Sequence, residues 1–181
     1  MNGRHLIFLL LLTNSQVSAG VGLGLHAGLW KPSSLDTDPG NPFATLQGSG
    51  PSYGVLLLTP TWQGFAVQLS AWGWHYSIDR DDHEIAFLHL AVDIKHLLLT
   101  QTRLRPYATY GAAWLWGNEQ DVALKRAGLS VNIGAGLEGS LTQHWSVGVE
   151  YQYLYLILQR SIGSTDNYSG PKLTVKLFHL F

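Results

Sequence analysis

Along almost the whole of this chain, apolar side chains recur at every second position rather than at every third or fourth. Val21, Leu23, Leu25, Ala27 and Leu29 share one parity, with Gly22, Gly24, His26 and Gly28 between them. Leu129, Val131, Ile133, Ala135 and Leu137 alternate with Ser130, Asn132, Gly134, Gly136 and Glu138. Near the end, Leu173, Val175 and Leu177 alternate with Lys172, Thr174 and Lys176. Successive side chains of a β-strand point to opposite faces, so each run carries one apolar face and one polar or very small face. Eight such segments follow one another, at 20–31, 52–60, 64–78, 85–98, 105–117, 127–141, 145–158 and 170–181. A chain patterned in this way folds as consecutive hairpins.

Two segments are ambiguous by pattern. Ala86, Leu88, Leu90, Val92 and Ile94 alternate, yet Phe87, Leu90, Ala91, Ile94 and Leu98 also line one side of a helix. The flanking hairpins decide for a strand. Val55-Leu56-Leu57-Leu58 is too uniformly apolar to set its own register. The connections alternate in length: long at 32–51, 118–126 and 159–169, short at 60–64, 99–104 and 142–144, with a short charged loop at 79–84. Long loops at one end and tight turns at the other are the anatomy of a barrel that crosses an outer membrane.

Which face looks inward decides the class. A soluble ligand-binding barrel turns its grease inward and its charges to water, whereas a membrane barrel does the reverse. Here the face opposite the grease is mostly Gly, Ala, Ser, Thr, Asn and Gln, which suits the narrow interior of eight strands. Charged residues are 13% of the chain, too few for a solvated exterior. The expected fold is therefore an all-β, eight-stranded antiparallel up-and-down transmembrane β-barrel, porin-like in architecture, with a soluble secreted barrel as the alternative. The balance of 11 basic and 12 acidic residues lacks the basic footprint of a nucleic-acid binder. Without cysteine there is no disulfide framework, Cys-ligated zinc or thiol nucleophile.

Aromatic residues gather near the segment ends. Trp62, Phe65, Tyr107, Trp145 and Phe181 lie toward the short turns. Trp30, Tyr53, Trp72, Trp74, Tyr76, Trp114, Trp116, Tyr153 and Tyr155 lie toward the long loops. Amphipathic rings favour both water–lipid boundaries, so these are expected to form two girdles.

The amino terminus has the order of an export signal. Arg4 and His5 precede the apolar run Leu6 to Leu12, and Val17-Ser18-Ala19 supplies small residues for cleavage after Ala19. Seven apolar residues reach about 10 Å as a helix, far short of the roughly 30 Å of hydrocarbon. Residues 1–19 are thus expected to be a signal peptide and 20–181 the barrel domain.

The last segment, Lys172 to Phe181, ends on phenylalanine with apolar residues at alternate positions before it. It resembles the carboxy-terminal signal of bacterial outer-membrane proteins, with His179 where an aromatic or aliphatic residue is usual. Arg105-Pro106-Tyr107-Ala108-Thr109-Tyr110-Gly111-Ala112 and Asn132-Ile133-Gly134-Ala135-Gly136-Leu137-Glu138 are similar to strands of the small outer-membrane β-barrel family, which includes the transmembrane domain of outer membrane protein A. The resemblance implies residence in the outer membrane of a Gram-negative-type bacterium. It also implies recognition by the barrel assembly machinery through the strand ending at Phe181. No periplasmic peptidoglycan-binding domain is expected after the eighth strand.

Inward-facing charges are the first functional candidates. Asp93, Glu138 and Glu150 with Lys95, Lys176 and Arg105 are expected to pair and close the bore, because buried charges must be compensated. His26 and Gln68 fall in the same periplasm-proximal half. His75-Tyr76-Ser77 has the His-x-Ser spacing of an outer-membrane lipid A deacylase, which makes a lipid A-modifying enzyme using His75 and Ser77 the first alternative function. Asp79 would have to orient the base, and Ile78 stands where that enzyme has asparagine. His75 and His83 flank Asp79, Asp81 and Asp82, with Glu84 next, a stretch that reads as a solvated acidic loop before it reads as a cation site. The leading expectation is a non-enzymatic integral membrane protein, monomeric, without cofactor, metal or catalytic residues. Outer-membrane lipids surround it, and its loops serve structural, adhesion or recognition roles.

Overall fold

The computed structural model describes residues 20–32, 50–78, 83–99, 102–119, 124–159 and 165–181. The expected signal peptide, most of the first long loop and the acidic residues Asp79, Asp81 and Asp82 lie outside them. Among the described residues nine strands form one antiparallel sheet: β1 Gly22–Trp30, β2 Gly50–Leu58, β3 Phe65–Ile78, β4 His83–Leu97, β5 Leu104–Glu119, β6 Leu124–Ser140, β7 Trp145–Gln159, β8 Thr165–Asn167 and β9 Gly170–Leu180. From β1 to β7 each strand pairs with the next in sequence, β8 and β9 both pair with β7, and β9 pairs back onto β1. β8 and β9 share one register against β7, so they form a single stave interrupted at Tyr168-Ser169. The result is a closed eight-stave barrel. The ambiguous segment around Ile85–Leu98 is a strand, since its backbone groups complete the ladders of β3 and β5.

The pairing fixes the geometry. A walk perpendicular to the strands runs Gly22, Leu58, Gln68, Asp93, Gly111, Asn132, Leu154, Gly170. It returns to the first stave beside Pro32, ten residues beyond its start. For eight staves that stagger implies a tilt of roughly 40°. The β2–β3 turn is the tight one: Gln63 and Gly64 both have positive φ, 49° and 86°, and Trp62 and Phe65 exchange both backbone hydrogen bonds. That is the two-residue primed turn whose twist matches the strands.

Orientation follows the alternation. Ile133 is 65% exposed and Val149 48%, whereas Asn132 and Glu150 are 1% and 2% exposed. Grease faces outward and polar groups are enclosed, which removes the soluble-barrel alternative. Within Val55-Leu56-Leu57-Leu58, Leu56 and Leu58 turn inward and Val55 outward.

The girdle expectation needs correction. Tyr53, Trp114, Trp116, Tyr153 and Tyr155 do face outward near the long-loop end, as do Trp62, Phe65, Trp145 and Phe181 near the short-turn end. Trp30, Trp72, Trp74 and Tyr107, however, are buried in the lumen, and the Tyr76 side chain lies outside the described residues. Trp30, Trp72 and Trp74 form one cluster with Phe87, Leu115, Leu154, Leu156 and Tyr168 that fills the outer end. Trp30 lies edge-on to Trp72, Trp74 and Phe87, with centroids 4.9 to 6.0 Å apart. Proximity to a strand end does not choose a face; parity does. Glycines on the neighbouring stave make the room: a Cβ on Gly50 would meet the Trp74 indole, and one on Gly54 would meet Trp72 and the Ala71 carbonyl.

Gly54→Ala is therefore expected to destabilise the barrel by about 1–3 kcal/mol through overpacking. A urea-unfolding midpoint measured in lipid vesicles checks this; an unchanged midpoint would contradict the contact.

Candidate functional site: the charged lumen

Beneath the aromatic cluster the lumen is polar. Asp93 and Lys95 come from β4, Arg105 from β5, Glu138 from β6, Glu150 from β7, and Lys172 and Lys176 from β9. All seven are buried. They lie there because each sits on the parity opposite the lipid-facing residues of its own strand.

Glu138 is shared by two cations. Lys95 Nζ donates to its Oε2 and Arg105 Nη2 to its Oε1. Lys95 also stands over the Tyr107 and Phe178 rings, 4.4 and 4.9 Å from their centroids. A second centre joins Lys176 to Glu150 at 2.7 Å and to Gln68 Oε1 at 3.0 Å. In the cross-strand register Glu150 faces Thr174 and Lys176 faces Gly148, so this ion pair runs diagonally.

Asp93 belongs to a different group. Asn132 Nδ2 donates to Asp93 Oδ1 at 3.2 Å, Ser130 Oγ donates to Asn132 Oδ1 at 3.0 Å, and His89 Nε2 lies 3.0 Å from Ser130 Oγ. A serine hydroxyl carries one proton. Since Ser130 gives it to Asn132, His89 must donate from Nε2, and it cannot be a base toward that serine. The buried His–Ser contact is thus a structural chain from the aromatic cluster down to Asp93.

The expected charges are all inside, but not as one cluster: Lys95, Arg105 and Glu138 meet, Lys176 meets Glu150, and Asp93 is held by Asn132. Sequence reasoning left Lys172 out of this group. Its parity was legible beside Thr174 and Lys176, but its partner is an aromatic ring three strands along the wall. Lys172 Nζ stands 3.5 Å from the Trp72 ring centroid, and no carboxylate pairs with it among the described residues. His26 is buried with neither ring nitrogen hydrogen-bonded. Below these groups, Leu56, Leu58, Ala66 and Phe178 fill the inner end.

The alternative catalytic pair falls partly outside the described residues. His75 lies on the lipid-facing parity of β3, opposite Ala86, while the side chains of Ser77, His83 and Glu84 and all of Asp79 lie outside the described residues. Among the described residues no group of three or more His, Cys, Asp or Glu could hold a metal ion.

Removing a shared acid strands two buried cations. Glu138→Ala is expected to cost about 3–5 kcal/mol, the range for breaking a buried charge pair from one side. Lys172→Met removes only a ring contact and is expected to cost about 0.5–2 kcal/mol. Urea midpoints of both variants in vesicles test the ranking, and equal losses would contradict it.

Comparison with known proteins agrees with this architecture. The family model described as outer membrane protein beta-barrel domain matches residues 7–177. No curated protein matches the chain. Among solved structures, Neisserial surface protein A superposes with a TM-score of 0.71 at 12% identity, covering 92% of this chain and 100% of that one. The N-terminal barrel of Pseudomonas aeruginosa OprF gives 0.58 at 16% identity, covering 91% and 99%. Ail of Yersinia pestis gives 0.54 at 11%, covering 92% and 100%. At these identities the likeness concerns the fold alone. A closed eight-stave barrel with grease outside and charges within, matched over nearly its whole length, belongs to the outer membrane protein β-barrel family.

Proposed function

We propose that the protein is a non-enzymatic outer-membrane barrel that presents its outward loops for adhesion or recognition. The observation that carries this reading is an uneven rim. At the long-loop end β1 stops at Trp30 and β2 begins at Gly50, whereas β3 runs to Ile78, β5 to Glu119 and β7 to Gln159. Among the described residues, β3 loses β2 beyond Trp74 and continues paired with β4 alone. From the tilt and rise, this wall stands roughly 10 Å above the end of β1. A lumen filled at both ends has no need of such a wall, and a wall carrying loops is a platform for contact. Two of the similar structures are named as a surface protein and as an attachment invasion locus protein, which agrees with this reading.

Export through residues 1–19, assembly through the strand ending at Phe181 and a surround of outer-membrane lipids complete the proposal. The non-enzymatic part rests on the chemistry of the site: its only buried His–Ser contact among the described residues has the serine proton committed elsewhere.

Two measurements test the proposal. Lipid A from cells overproducing the full chain is expected to give the same mass spectrum as lipid A from cells producing Ser77→Ala; a difference would establish catalysis. Replacing residues 33–49 and 160–164 by Gly-Ser linkers is expected to bring whole-cell attachment to matrix-coated surfaces down to the level of cells lacking the protein. Heat-modifiable mobility should be retained. Undiminished attachment would refute the adhesive role.

A further inference from the structure

A bilayer treats every side of a barrel alike, because it has no preferred direction around the membrane normal. The lipid-facing surface of this barrel is not uniform. Above the inner rim, the outward-facing Tyr, Trp and Phe residues among those described are Tyr53 on β2, Tyr110, Trp114 and Trp116 on β5, and Tyr151, Tyr153 and Tyr155 on β7. Six of these seven flank β6. Among the described residues the opposite side, from β9 through β1 to β4, carries above the inner rim only Tyr53 and the His75 ring and is otherwise aliphatic or small.

Depth adds a second argument. Tyr110 lies six residues beyond Leu104 and Tyr151 six residues beyond Trp145, which at this tilt is about 15 Å, halfway through the hydrocarbon. Neither hydroxyl is hydrogen-bonded within the described residues. Acyl chains offer no hydrogen-bond partner, and tyrosine in membranes belongs at the boundary rather than at the centre.

The register shows what could satisfy them. Tyr110 faces Ile133, and Ile133 faces Tyr153. Each step from one strand to the next raises the depth by about 3 Å, and stepping back two residues along β7 lowers it by about 5 Å. Tyr151 therefore lies at the depth of Tyr110. By the same steps Tyr153 lies at the depth of Ala112, and Tyr155 at the depth of Trp114. β5 and β7 flank β6, so a two-fold axis along the membrane normal through β6 would set β5 of one copy against β7 of the next. Tyr110 then meets Tyr151 of the partner subunit, large opposite small at Ala112, and ring opposite ring at Trp114. A phenol both donates and accepts, so like groups can pair. Such a face is self-complementary, as an isologous contact requires.

We infer that the β5–β7 face is a lateral interface at which two copies of this chain pair in the membrane through mid-depth tyrosine hydroxyls. The monomer expected from the sequence carries no information on this point, because alternation separates inside from outside but does not distinguish one side of the barrel from another.

The chain has no cysteine, so single replacements report contacts cleanly. Ile133→Cys places a thiol beside the proposed axis, and Val55→Cys places one on the diametrically opposite stave; both positions face outward. In membranes of cells producing the full chain, mild oxidation is expected to link Ile133→Cys into a disulfide dimer and to leave Val55→Cys monomeric. Tyr110→Phe with Tyr151→Phe in the Ile133→Cys background removes only two hydroxyls and should lower the dimer yield severalfold, while heat-modifiable mobility shows that the barrel still folds. Equal linkage at the two positions, linkage of Ile133→Cys only to a different protein, or a dimer yield indifferent to the hydroxyls would each overturn the inference.

Discussion

Hydrocarbon offers nothing to a peptide N–H or C=O, and the rest of this molecule follows from that constraint. Every backbone polar group within the membrane must find its partner in the chain itself, which for strands requires a sheet without edges. Closure of β9 onto β1 meets the requirement. Closure in turn commits each strand to one lipid-facing and one enclosed parity, and the enclosed parity must fill a bore only eight staves around.

The filling is a negotiation over volume and charge. The indoles of Trp72 and Trp74 fit because Gly54 and Gly50 beside them lack side chains. The carboxylate of Glu138 is tolerable in an enclosed interior because Lys95 and Arg105 both reach it, and Lys176 does the same for Glu150. Glycine, usually weakening in strands, is here a packing residue. Hence a chain rich in both tryptophan and glycine is internally consistent rather than contradictory.

This logic also explains how much could be read from residues alone. The period of two, the alternating loop lengths and the Gly-rich parity disclosed the barrel, its orientation and most of the buried charges, since each is a local property of a strand. Trp30, Trp72 and Trp74 depart from the girdle expectation because parity outweighs nearness to a strand end; their neighbours His26 and Gln68 share the inward set. Lys172 and His89 escaped because their contacts, with Trp72 and Ser130, join staves distant in sequence. Local pattern assigns a side chain to a face, whereas cross-lumen partnership depends on the stagger of ten residues, which no single segment encodes.

The pairing of the first stave with the last has a consequence in time. β1 is translated well before Gly170–Leu180 exists, so the seam that completes the sheet cannot form until the final residues arrive. Every hairpin made earlier has an open margin, a template for association with other unfolded chains. A polypeptide of this design stays an unfinished ribbon until its last strand docks, and acquires its resistance to unfolding in one late event rather than by accumulation.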